Sequence, residues 1–155
     1  MKALSLRQPW AQLLALGIRT FDIRSWRTGQ RGRIFLHAGF STLAQLRPVC
    51  ANPWVVQNLK DNGLTVETLP RQALVGEVGL ADCVPLEEFT FPQECGPLDL
   101  PDRGWVWLFE NPAPLPWPIP YPGRLGLFDT FGVRGKEKDG ADKASEPEGP
   151  SRVQA

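Results

Sequence analysis

The sequence predicts a small α+β domain built on a mixed β-barrel. Short alternating segments recur along the chain, helical segments fall between the first strands, and Gly and Pro are frequent: 15 and 16 of 155 residues. Such punctuation bends and interrupts strands, as closing a sheet on itself requires. The length fits one domain, and 42% hydrophobic with 22% charged residues is an ordinary globular balance.

The elements follow in order. Residues 2–7 (KALSLR) alternate and read as a strand, broken at Gln8-Pro9. Pro9 opens a helix carrying Trp10, Leu13, Leu14 and Leu16, which stops at Gly17. Residues 20–24 (TFDIR) alternate with Thr20, Asp22 and Arg24 on one face, a turn follows at 28–32, and 33–38 (RIFLHA) reads as a central strand. Ser41 is the expected N-cap of a helix ending near Pro48, and a second helix spans 53–61, closed by Asn62-Gly63. The longest strand is expected at 73–84, with bulges or bends at Gly76 and Gly79. One helical turn at 85–89 and a loop over 90–103 precede a strand at 105–110. Alternate prolines from Pro112 to Pro122 exclude an inner strand and predict an extended polyproline-like strap. A closing strand covers 124–130, so the ordered domain is expected to be 1–134, with 135–155 a disordered tail.

Charge is zero overall but uneven. Residues 1–40 hold seven basic groups, Lys2, Arg7, Arg19, Arg24, Arg27, Arg31 and Arg33, against Asp22 alone. Residues 41–134 hold six basic against eleven acidic groups. Arginine suits bidentate phosphate recognition and stacking on bases, so this cluster points to an anionic ligand. The competing reading is an internal Arg–Asp–Arg bridge fixing the turn from helix to strand. An acid between two guanidiniums is expected to keep a lowered pKa. Trp10 reads chiefly as core, Trp26 equally as core or stacking surface, Trp105 and Trp107 as core, and His37 as a structural residue or cleft wall.

Cys50, Cys83 and Cys95 lack metal-ligand spacing, and His37 is the sole histidine. No metal site, cofactor or disulfide framework is indicated. No apolar run reaches membrane-spanning length and no signal peptide is visible. The chain is therefore expected in the cytoplasm or the nucleus, off the membrane.

Residues 3–38 (ALSLRQPWAQLLALGIRTFDIRSWRTGQRGRIFLHA) resemble the ASCH family of the PUA-like superfamily. Ser5 and Pro9 fit S-x-x-x-P; Gly17 and Arg24 fit G-x-K-x-x-E-x-R; Arg31, Gly32, His37 and Ala38 fit R-G-x-x-x-x-H-A. Arg19 stands where Lys is usual and Asp22 where Glu is usual. Residues 76–89 and 104–129 resemble the family's second barrel segment, aromatic strand, strap and closing strand.

The resemblance implies a five- or six-stranded PUA-like barrel, a cleft lined by the motif residues, and RNA or a nucleotide-like ligand as partner. Arg19, Asp22, Arg24, Ser25, Trp26, Arg31, His37 and Gln8 are the candidate ligand-binding residues. Some bacterial members are N4-acetylcytidine amidohydrolases, with Lys at the position of Arg19 and a catalytic Thr at that of Asp22. Hydrolysis of a modified nucleoside is thus the alternative, with Asp22 as base, Arg19 as oxyanion partner, and Glu77, Glu87 or Glu88 as a possible second acid. Arg19 weakens it, because a guanidinium stays protonated at neutral pH. A protein-interaction adaptor using the proline strap is the third reading.

Overall fold

The chain is described here from a computed structural model covering residues 1–135, so the expected tail lies outside the described residues except for Gly135. The strands are β1 (Lys2–Leu6), β2 (Phe21–Arg24), β3 (Gly32–Ala38), β4 (Ala73–Pro85), β5 (Trp105–Pro120) and β6 (Leu127–Asp129). The helices are α1 (Trp10–Ala15), α2 (Leu43–Cys50) and α3 (Pro53–Asp61). Single 3₁₀ turns occur at Val66–Thr68 and Leu86–Glu88.

All six strands form one mixed sheet in the order β2-β5-β4-β3-β1-β6. Only β1 and β3 run parallel, because α1 and β2 intervene between them. The sheet curls into a half-barrel around Leu4, Leu6, Ile34, Leu36, Val75, Val78 and the fully buried Trp107, with Ala11, Leu14 and Ala15 of α1 packed into the same core. Each fully buried large apolar side chain there contributes about 1.5–3 kcal/mol. The register shifts of β4 against β5 include the expected irregularities at Gly76 and Gly79. Gly76 also lets α1 approach: a Cβ there would lie 2.5 Å from the Ala15 methyl.

Two local expectations are corrected. Thr42, not Ser41, caps α2, through a reciprocal bond pair with Gln45, and the helix runs through Pro48 to Cys50. Pro48 removes the bond to the carbonyl of Ala44, but both residues are exposed, so that carbonyl is not left buried without a donor. The proline strap is instead the outer half of β5, paired with β4 at Ala113, Pro114, Ile119 and Pro120. Successive residues of a strand aim their N–H groups at opposite edges. Prolines at every second position therefore all present their ring nitrogens to one edge. That edge is open here, since β2 pairs only with Trp105–Leu108. The intervening residues keep the donors; just past the strand, Tyr121 N–H donates to Gln72 O at 3.1 Å.

Candidate functional site

The half-barrel does not close: β2 and β6 are its two edges. A cleft of about 500 Å³ lies in the seam. One wall is the free edge of β2 and its continuation, Asp22 to Trp26. The other combines the end of β1 (Ser5, Leu6, Arg7), Gly39, and Arg124, Leu125 and Gly126 leading into β6, with Trp10 of α1 joining them. Two stretches nearly a hundred residues apart meet because β6 pairs with β1.

Arg24 spans the seam. Its guanidinium donates to Asp22 Oδ2 at 2.9 Å and to Ser5 O at 3.4 Å, and sits 5.8 Å from the Trp26 ring and 5.7 Å from Trp107. Trp26 packs edge-on against Trp107 at 4.6 Å, and Trp107 Nε1–H donates to Trp26 O at 3.1 Å. Asp22 is the cleft's single carboxylate among the described residues. Its pKa is raised rather than lowered: burial outweighs the favourable pull of Arg24 and Arg19. The sequence shows the two guanidiniums but not the loss of water. Arg7 and Arg124 have no ion-pair partner among the described residues. The cleft therefore carries three guanidiniums against one acid.

Other predicted site residues lie elsewhere. Arg19 is 9% exposed and outside the cleft lining; it donates to Cys95 O at 3.3 Å and Pro97 O at 2.9 Å. Arg31 pairs with Asp82 on the surface at 3.3 Å. Gln8 is buried, donating to Pro70 O at 2.8 Å and accepting from Gln12 N–H at 3.0 Å, so it ties α1 to the chain before β4. His37 is fully buried behind the cleft. Its Nε2–H donates to Tyr121 O at 2.7 Å, which leaves Nδ1 to accept from Ser5 Oγ at 3.0 Å. Burial lowers its pKa, so the ring is held neutral. Glu77 is buried 3.5 Å from Arg33, and neither Glu87 nor Glu88 lines the cleft.

Ser5, Arg7, Arg124 and Leu125 line the cleft without standing among the candidate ligand-binding residues, although Ser5 belongs to the motif and Arg7 to the basic cluster; Trp10 reads chiefly as core. Trp10 does pack on the cluster around Leu13 and Leu46, but it lines the cleft as well. The P-G-R-L-G run at 122–126 held a usable signal: Leu125, between Arg and Gly on a turn, is 99% exposed at the rim.

Among the described residues, no group of three or more His, Cys, Asp or Glu is placed to hold a metal ion, and no helix is long and apolar enough to cross a membrane.

The ASCH domain model matches residues 4–119, which include every motif residue and the cleft lining except Arg124, Leu125 and Gly126. This chain belongs to the ASCH domain family. It is similar to Activating signal cointegrator 1 of Homo sapiens, 32% identical over 130 residues, and to that of Mus musculus, 34% over 138 residues. Each match covers 81% of this chain and 21% of the relative, so the ASCH chain spans about a fifth of those proteins. Solved structures of the Zymomonas mobilis ASCH protein are also similar. Its crystal structure has a TM-score of 0.42 at 17% identity, covering 76% of this chain and 71% of that one. A point-mutant structure has a TM-score of 0.48 at 14% identity, covering 84% and 88%.

Proposed function

We propose that this ASCH domain binds single-stranded RNA, taking one nucleotide and its two flanking phosphates into the seam cleft. The observation that carries this is the convergence of Arg7, Arg24 and Arg124 on a cleft with one carboxylate. A cleft of about 500 Å³ has the size of a small-ligand site, enough for one nucleotide and too small for a duplex. In this reading Arg7 and Arg124 neutralise phosphate, Asp22 holds the Arg24 fork in place, and Trp26 with Leu125 flanks the base. An unpaired strand can present a splayed-out base to such a surface, whereas an A-form duplex hides its base edges.

The proposal does not extend to hydrolysis. Among the described residues Asp22 has no second carboxylate beside it in the cleft, and the Arg19 guanidinium is committed to two carbonyls elsewhere.

Fluorescence anisotropy with a labelled single-stranded oligoribonucleotide at low salt tests the reading. Binding is expected, with a duplex of the same sequence bound more weakly. Arg7→Gln and Arg124→Gln are each expected to weaken binding of every sequence alike, since they touch phosphate. No binding at low salt, or undiminished binding by both variants, overturns it.

A further inference from the structure

Arg19 is the most enclosed charged group of the motif segment, and its surroundings give it a different task from Arg24. Its guanidinium carbon lies 4.2 Å from the Trp10 ring and 4.5 Å from the Phe21 ring. The same group donates to the carbonyls of Cys95 and Pro97. It thus joins α1, β2 and the loop before β5. That loop is itself seated: Phe89 and Phe91 pack on Phe21, and Gly96 lies against Trp54, where a Cβ would come within 2.4 Å of the indole. Burial lowers the Arg19 pKa, with Cys95 and Asp22 acting against the shift.

We propose that Arg19 is a positioning residue: it fixes the Trp10 indole that walls the cleft, and it does not touch the ligand. This rests on the RNA reading above. A planar guanidinium can lie against both aromatic rings while its N–H groups reach two carbonyls. An ammonium is a compact point charge with no plane to place against a ring. The geometry thus gives Arg a reason to stand where the family pattern has Lys.

The test uses the full chain labelled with 5-fluorotryptophan, with the Trp10 ¹⁹F resonance assigned by Trp10→Phe. In Arg19→Lys the Trp10 resonance is expected to shift or broaden while those of Trp26 and Trp107 stay in place. Affinity for single-stranded RNA is expected to fall roughly five- to tenfold, matching Trp10→Ala, as loss of a stacking wall should. In Arg19→Gln, which removes the charge, the dependence of log affinity on log salt is expected to keep its wild-type slope, because no phosphate contact is lost. A slope shallower by about 0.7 would mean Arg19 touches a phosphate and would overturn the proposal. So would an unmoved Trp10 resonance, or unchanged affinity. Should Arg19→Lys fail to fold, Phe21→Leu removes the ring on the other side of the guanidinium and carries the same expectations. A wild type that binds no RNA refutes the RNA reading, and the Trp10 resonance then decides this inference alone.

Discussion

Replacing Asp22 with Asn separates two effects that oppose each other in the cleft. The Asp22 carboxyl has its pKa raised because burial outweighs the attraction of Arg24 and Arg19. The folded protein therefore keeps this proton to higher pH than the unfolded chain does. Stability declines as pH rises through that window, which begins near the unfolded value of about 3.9, and the decline is complete above the folded value. Asn removes this decline. It also weakens the 2.9 Å contact with Arg24. Breaking a fully buried ion pair costs about 3–5 kcal/mol. Here the Asp22 and Arg24 side chains remain 20% and 21% exposed, Arg24 keeps its bond to Ser5 O, and the Asn carbonyl still accepts from the guanidinium. Because the two effects oppose each other at pH 7, the cost of Asp22→Asn is expected to stay well below that of breaking a fully buried pair, a Tm loss of less than roughly 10 °C. Circular dichroism melts of both proteins from pH 3.5 to 8 supply the assay. The Tm of the variant relative to wild type is expected to rise as pH rises from about 4. A loss of roughly 10 °C at pH 7 that recovers toward acid pH would show that the ion pair, not burial, dominates Asp22.

Three further perturbations probe the frame around the cleft. His37 has its pKa lowered by burial, so the unfolded chain takes up a proton near pH 6.5 while the folded one does not; stability should be lost as pH falls from about 7 toward the folded value, and urea titrations of His37→Gln should lack that loss. Gly123→Ala would put a methyl 2.6 Å from His37 Cε1, displacing the rim before Arg124; a cost of about 1–3 kcal/mol and weaker RNA binding are expected, while Gly29→Ala, with nothing within 4 Å, should leave both nearly unchanged. Trp107→Phe removes the hydrogen bond to Trp26 O and opens space in the core, so urea unfolding should show a loss of about 2–4 kcal/mol; a change below about 0.5 kcal/mol would mean this pair does not brace the cleft wall.

Local chemistry made much of the fold legible. Alternation marked β1 and β2, a run of β-forming residues marked β3, Pro9 and Gly17 bracketed the first helix, and Pro53 with Asn62-Gly63 bounded α3, whose Asn52 cap carried a signal not used. Asp22, Arg24, Ser25 and Trp26 were readable together because they follow one another along an edge strand. What remained hidden depends on pairing at long range. Arg124 and Leu125 reach the cleft only because β6 lies on β1. Arg31 and Arg33 leave it because the β3–β4 register brings them to Asp82 and Glu77. The proline run forms a strand because a proline at every second position fits an edge that faces no neighbour, and the sequence does not show which edge is free. Arg19 was grouped with Arg24 by spacing, yet the loop carrying Cys95 and Pro97, more than seventy residues later, claims its guanidinium.

If the basic seam cleft binds an RNA strand through its phosphates, the affinity for a single-stranded oligoribonucleotide must fall between 50 and 200 mM salt. Two phosphate contacts, as Arg7 and Arg124 allow, predict a slope of log affinity against log salt of about −1.4, made shallower by about 0.7 in Arg124→Gln. A slope near zero, or one that Arg124→Gln leaves unchanged, would contradict binding through phosphates.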